Sequence, residues 1–514
     1  MSLARAVNDW FDDLHGRKKY RRYHEKEQRK NRLAAQTVAV LGGIAGAVYI
    51  GICIYYGNLD VWYVYVPFIV ADAGFFLLYL LTTSNLWLKR YHDPQGVEPD
   101  RQRSVDIFIP VCGEPLSIVK GTVAAAAAID YEPKKVFVLD DGESDELRSL
   151  AESYGASYIR RPEHTNRKAG NLNYALGRTS GELILALDSD QVAKPDIVKR
   201  LIGYFRIPRI AFVQTRQSFK LPENDPWGNA DRVFYDAIQS GKDYDNAAIS
   251  CGSGVMYRRE ALEDVGGFST WNLVEDLHTS FRLHEKGWRS VYYDGSLTVG
   301  TAPEEVVSQT RQRWTWAVDS MRLLFWDFPL KHRALSWPQR LQYFHFGYYY
   351  VTIGVFLPIT IFIVPQWALF SYKFVLTIPP EMYLAARLPY LVLQSISDKL
   401  LTNKVVSFKS NQAQASLFAV YLDAIRAALL SRKVIPRYVV TRKTAGHDPL
   451  RVRLRKCLPH LIVMSVSLAA IVYGLLTIEH DPWFLGVNIF FASFSFAFLW
   501  KFVLLSLWPR LFVR

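Results

Sequence analysis

Two common phosphate-binding signatures are missing from the 514 residues: there is no Walker loop and no Rossmann glycine fingerprint. Cysteine is scarce too. The four present (Cys53, Cys112, Cys251, Cys457) have neither metal-ligand nor disulfide spacing, which excludes a disulfide scaffold and a cysteine metal site and reads as reduced thiols. Charge is absent from whole stretches although the net charge is +13. Ala34 to Tyr56 contains none, and that length suits a bilayer crossing. Val61–Thr83 is a second such run, interrupted only by Asp72, and further apolar runs, not all free of charge, cover Phe344–Tyr372, Phe374–Ile396, Leu458–Thr477 and Trp483–Trp508, which makes six predicted spans. Between Arg90 and about Leu330 there is no such run, so that block is expected to be soluble.

Lys and Arg cluster in GRKKYRRYHEKEQRKNR before the first span, in LKRYH after the second, in SRKVIPRYVVTRK and RVRLRK before the fifth, and in WPRLFVR at the end. The loops GNLD and IEHDP have neither residue. The asymmetry puts both termini and the central block on the cytoplasmic side of a cell membrane. The first apolar run has no small-residue cleavage site and follows a basic arm, so it is not a signal peptide. That arm suits anionic lipid head groups. No interleaved aromatic platform supports nucleic-acid binding. The predicted layout is a basic segment 1–33, two spans in 34–90, a cytoplasmic domain 91–335, and about four spans in 336–514 with an interfacial helix and a loop at 437–447.

In the central block strand-like and helix-like segments alternate: SVDIFIPVCGEP, GTVAAAAAIDY, KKVFVLDDGESDE, ELRSLAESYG, ASYIRR, KAGNLNYALG, ELILALDSD. This predicts a mainly parallel sheet with helices on both sides, and ligands in such sheets bind beyond the carboxyl ends of the strands. Three strands end in functional-looking groups, at Val111–Pro115, Asp140–Asp141 and Asp188–Asp190. Strand residues i and i+2 point the same way, so Asp188 and Asp190 converge on one cation or simply form a polar strand exit. A Mg²⁺ or Mn²⁺ ion takes one or two such oxygens and completes its shell from a diphosphate and water. Lys168, at a helix start, is the candidate positive partner.

Taken in order, the motifs resemble the processive family 2 glycosyltransferases, bacterial cellulose synthase and its β-glucan relatives above all. VLDDG (Asp140, Asp141) resembles the uridine-contacting motif, KAGNLNYAL the KAGN segment, DSD the metal-binding D-x-D, and VQTRQ the Q-T-P-H segment. ISCGSGVMYRREAL resembles the F-F-C-G-S acceptor stretch, VED the T-E-D motif, TRQRW the Q-x-x-R-W motif, and YVVTRK the F-x-V-T-x-K gating loop. The resemblance covers about residues 35 to 510. It implies a GT-A-like domain inserted between transmembrane helices, with Asp276 as catalytic base and Asp188 and Asp190 on the metal. It further implies Asp141, Lys168, Asp188, Arg311, Arg313, Thr441 and Lys443 on a UDP-sugar donor, and Cys251, Gly252, Ser253, Glu275 and Trp314 at the acceptor.

This sequence departs from the pattern at Val274, at Thr310 (with Gln309 one residue earlier), and at Arg216 and Gln217, which stand for Pro and His. Little chain follows the last span, so no cyclic-dinucleotide-binding domain of the kind cellulose synthase carries is expected. Plainer roles compete at several positions. Asp276 also suits a helix start, and Trp314 and Trp316 suit a membrane interface. Cys251 reads as a packing residue rather than a nucleophile, and His278 and His284 as structural. Asp72 and the many aromatics suit a polar lumen for a sugar polymer or an interfacial belt. The reading is an inverting polysaccharide synthase that uses UDP-glucose to extend a β-glucan and moves the chain across the membrane. Its rivals are the same machine on UDP-N-acetylglucosamine, a non-catalytic transporter, and a metal-dependent phosphohydrolase.

Overall fold

A computed structural model describes residues 18–92, 95–221, 227, 231–302, 306–432 and 449–511, with side chains from Arg32 onward. The central block builds one sheet of eight strands: β1 (Val105–Val111), β2 (Lys134–Asp140), β3 (Ser157–Arg160), β4 (Leu183–Ala186), β5 (Val192–Ala193), β6 (Ile210–Lys220), β7 (Val255–Arg258) and β8 (Arg289–Thr301). Their spatial order is β3-β2-β1-β4-β7-β6-β8-β5. β1 reads VDIFIPV and is buried along its whole length, as a central parallel strand covered on both faces must be. Its lone carboxylate, Asp106, is matched by Arg259 at 2.9 Å. Alternate residues feed two cores: Ile107, Ile109, Val138 and Leu185 pack on one face, and Phe108, Leu139, Ile184 and Ala186 on the other.

The β3-β2-β1-β4 half is parallel, as the strand–helix alternation predicts. Beyond β4 the sheet is mixed, because β7 runs antiparallel to both β4 and β6, while β6 and β8 are parallel. The switch at β7 puts Cys251–Gly254, the turn just before that strand, beside the carboxyl end of β4. Two acid-bearing strand ends and this turn therefore share one edge.

Five helices among the described residues are long and apolar enough to cross a membrane: Arg32–Tyr55, Leu59–Leu86, Trp337–Ser371, Leu450–Thr477 and Pro482–Leu507. Phe408–Ala415 and Phe418–Leu430 form a further pair bent by 47°. The expected span 374–396 falls largely on the helix Pro380–Leu401, which carries Arg387, Asp398 and Lys399. The helix Val306–Arg322 joins the two parts: its Ala317, Val318 and Met321 share a core with Phe418, Tyr421, Leu499 and Phe502.

Candidate active site

The turn before β7 is held by the VQTRQ strand. Gln214 accepts the Cys251 N–H at 2.7 Å and donates to Ser253 O at 2.9 Å. Gln217 donates to the carbonyls of Cys251 (3.0 Å) and Ser253 (2.9 Å). So Gln217, which departs from the family pattern, fixes the turn's backbone, and Arg216 pairs with Asp236 at 3.1 Å. Ser253 Oγ accepts the Asp188 N–H at 2.8 Å, tying the turn to the end of β4. Gly252 has φ +74, and a Cβ there would lie 3.0 Å from Lys168 Nζ and 3.2 Å from both Asp276 Oδ2 and Glu275 Oε1. Only glycine combines that backbone with so close an approach. Burial holds the Cys251 thiol well above its ordinary pKa, so it stays neutral.

Lys168, in the first turn of Arg167–Leu176, gathers the site. Its Nζ lies 2.7 Å from Asp188 Oδ1 and 2.8 Å from Glu275 Oε1, and donates to Gly252 O at 2.9 Å. Burial alone would lower its pKa, but the two carboxylates outweigh burial and raise it well above the usual lysine value. Asp276 opens the helix Asp276–Glu285. Burial, with the like charge of Glu275, pushes its carboxyl up to about 8 against the pull of Lys168. Asp190 is 7% exposed and accepts from Thr301 N at 3.4 Å. Asp141 at the end of β2 is clamped by Arg161 (Nε 2.5 Å, Nη2 2.6 Å). Asp140 turns inward and accepts from Gly142 N, Ser144 N and Tyr158.

The helix Val306–Arg322 supplies the opposite wall. Arg313 pairs with Asp231 and sits 4.7 Å over the Trp316 ring. Both Arg313 and Trp316 line the cavity. Trp314, two residues before Trp316 and so about 200° away around the helix, is not part of the lining and donates Nε1 to Asp423 at 2.9 Å. Arg311 is likewise outside the lining, and Thr310 is buried at 1% exposure. Thr441 and Lys443 lie outside the described residues. Asp319, one turn on, accepts the N–H groups of Leu273 and Val274, each at 2.8 Å, and so holds the loop that carries the acid pair. Burial raises its pKa to about 7.

Thus Asp141, Lys168, Asp188, Asp190, Cys251, Glu275, Asp276 and Arg313 meet at one cavity of about 1230 Å³. Arg161 and Asp319 also belong to the site, although no motif singles them out, as do Gln214 of VQTRQ and Trp316, which the sequence marks only as an interface aromatic. The one trace of Arg161 in sequence is the Arg pair that ends ASYIRR; Asp319 leaves none. The cavity does not stop at the sheet. It continues between the membrane-length helices, past Tyr350 and Phe494, to Asp72 and Arg387.

Residues 106–266 match the family model for Glycosyl transferase family 2, and residues 263–401 match that for Cellulose synthase. Residues 106–266 thus carry a glycosyl transferase family 2 domain, continued by a cellulose synthase-like segment. The chain is 39% identical over 282 residues to the cellulose synthase 1 catalytic subunit (UDP-forming) of Komagataeibacter xylinus, covering 52% of this chain and 37% of that one. It is 32% identical over 414 residues to the cellulose synthase catalytic subunit (UDP-forming) of Pseudomonas fluorescens, covering 77% and 54%. The chain therefore spans about half, or less, of the length of these relatives. A mannosyltransferase from Pyrobaculum calidifontis, solved in complex with GDP-Man and Mn²⁺, superposes with a TM-score of 0.52 at 17% identity, over 71% of this chain and 99% of that one. The shared architecture is the GT-A-like glycosyltransferase fold.

Proposed function

We propose that this chain is a membrane-embedded, inverting glycosyltransferase that polymerises UDP-glucose into a β-glucan and passes the product outward between its helices. The observation that carries this reading is the single cavity running from Asp141, Asp188 and Asp276 to Asp72 and Arg387. A soluble transferase has no use for the second half of that path, and a plain transporter none for the first.

The uridine end of the donor sits against Asp141, oriented by Arg161, and the diphosphate lies near Lys168 and Arg313. Asp188 and Asp190 suit Mg²⁺ or Mn²⁺. They are two hard oxygen donors two residues apart on the cavity wall, and no group of three or more His, Cys, Asp or Glu gathers among the described residues. Such a pair fits an ion that takes its other ligands from phosphate and water. When bound, the ion neutralises charge developing on the departing UDP. Asp276 Oδ2 accepts the proton of the acceptor's terminal hydroxyl. The acceptor's hydroxyl oxygen, its proton now on Asp276, bonds to the anomeric carbon from the face opposite UDP, and the bond from that carbon to the diphosphate oxygen breaks, releasing UDP. Lys168, bridging Asp188 and Glu275, keeps the donor pole and the base pole in register, and Trp316 offers the acceptor sugar a ring face. The catalytic block and both termini face the cytoplasm, where nucleotide sugars are supplied.

Incubation of the purified protein with radiolabelled UDP-sugars and Mn²⁺ or Mg²⁺ tests the reading. UDP-glucose should yield long product degraded by β-glucanases. A chitinase-sensitive polymer from UDP-N-acetylglucosamine would reassign the donor. Orthophosphate release without polymer would overturn the transferase reading.

A further inference from the structure

We infer that a second cavity, where two membrane-length helices meet the catalytic block, is a headgroup site for a lipid that carries a primary ammonium, a phosphatidylethanolamine. This cavity shares only His345 with the catalytic one, and the inference does not rest on the proposed reaction. Its volume is about 440 Å³, and it lies between the end of the helix Leu59–Leu86, the start of Trp337–Ser371, and Asp245. Leu80, Leu81 and Leu341 give it apolar walls. Trp87 and Trp337 also line it and are 36% and 58% exposed. Indoles at the ends of spans sit at headgroup depth, so the cavity lies where a lipid changes from acyl chain to headgroup.

The polar side of the cavity offers a charged acceptor. Asn85 Nδ2 donates to Gln342 Oε1 at 2.6 Å, and Gln342 Nε2 donates to Asp245 Oδ2 at 2.6 Å, so these amide donors are engaged within the protein. The other oxygen of Asp245 has no hydrogen-bond partner among the described residues. Two cations face this carboxylate, and among the described residues neither forms an ion pair with it. Lys242 is fully buried and donates Nζ to the Gln342 carbonyl at 2.7 Å, and burial lowers its pKa to about 7. Arg90 donates to the carbonyls of Asp243 at 2.9 Å and Tyr244 at 3.4 Å. Burial raises the pKa of Asp245, and an added ammonium would lower it again. Ethanolamine supplies that charge together with N–H groups for the open oxygen. A choline headgroup has the charge without an N–H, and a glycerol headgroup brings a net negative charge to a carboxylate. Bound there, one lipid ties the catalytic block to both helices.

The test counts the lipid that the full chain retains. The protein is reconstituted in vesicles of equal parts phosphatidylethanolamine, its N,N-dimethyl derivative, phosphatidylcholine and phosphatidylglycerol, then re-extracted in mild detergent for mass spectrometry of the bound lipid. Phosphatidylethanolamine should be enriched over phosphatidylcholine about tenfold, the worth of one charge-assisted hydrogen bond, with the dimethyl lipid in between. Asp245→Asn keeps an oxygen for Gln342 and loses the charge, so the enrichment should vanish. Leu341→Trp fills the cavity without touching that carboxylate and should also abolish it. Gel filtration of each variant at the wild-type elution volume verifies that it is folded. Equal retention of all four lipids by the wild type, or unchanged enrichment in both variants, would overturn the site. Enrichment of phosphatidylglycerol instead would overturn the ammonium assignment. Polymer synthesis plays no part in this measurement, so failure of the proposed function would leave its outcome readable.

Discussion

Lys168 Nζ lies 2.8 Å from Glu275 Oε1, across the gap between the KAGN helix and the VED loop. Because the same nitrogen also meets Asp188 at 2.7 Å, one cation bridges the strand-end acid Asp188 and the acid pair Glu275–Asp276. The end of β4 and the head of the helix Asp276–Glu285 are thereby mechanically and electrostatically one unit.

Lys168→Met leaves Glu275, 2% exposed, as a buried carboxylate without its cation. Removing one partner of a buried pair costs about 3–5 kcal/mol, and less here because the lysine side chain is 29% exposed. Thermal unfolding in detergent should show a lowered midpoint, and calorimetry a UDP affinity reduced by tenfold or more. Lys168→Arg should recover most of the midpoint and little of the turnover, since a planar fork cannot meet three acceptors around a point charge.

On the proposed mechanism the acid limb of the pH–rate profile should belong to Asp276. A base must be deprotonated to act, and burial, with the like charge of Glu275, pushes this carboxyl up to about 8. Turnover per enzyme at low substrate should therefore rise with pH through that value. Glu275→Gln removes the like charge and leaves the pull of Lys168, so Asp276 releases its proton more easily. The limb should then move to lower pH, even if the maximal rate falls. A limb that stays in place would assign the titration elsewhere.

Asp319→Asn replaces an oxygen that accepts a backbone N–H with an amino group that cannot. One of Leu273 N and Val274 N then loses its partner, a cost of about 1–3 kcal/mol. Asp319 touches the loop and acts through Asp276, so kcat should fall about 10-fold or more while KM for the donor stays close to wild type. Equal losses in both would mean general unfolding of the site.

Much of this site was legible because strand periodicity and strand ends are local. Asp141, Asp188 and Asp190 follow apolar runs, and a parallel sheet brings such ends to one edge. The antiparallel β7 and the long β6–β8 pairing were not legible. They bring residues 214 and 217 to the turn at 251–254, and nothing local marks that partnership. Asp319 and Arg161 act on backbone groups and on another carboxylate, roles that leave no spacing pattern. Asp72 was visible as an acid within an apolar run, but its partner Arg387 lies 315 residues away. The choice between Trp314 and Trp316 depends on helix phase, which pattern matching does not resolve.

That phase is itself testable. Trp316 lines the cavity beneath Arg313, whereas Trp314 donates to Asp423. Trp316→Leu should raise the oligosaccharide concentration needed for primed extension about tenfold, with UDP affinity unchanged. Trp314→Phe should cost stability through the lost hydrogen bond, about 1 kcal/mol, and leave acceptor use intact. The opposite result would place the acceptor on the far side of the helix.

The most direct measurement pairs donor binding with polymer formation in Asp276→Asn. The amide keeps the shape at the head of the helix but cannot take the hydroxyl proton, a loss of about 10²–10⁴ in rate. Titration with UDP and Mn²⁺ should give wild-type affinity, while radiolabelled UDP-glucose should yield no detectable polymer. Polymer made at the wild-type rate by Asp276→Asn, with Glu275→Gln inactive, would contradict the assignment of the base.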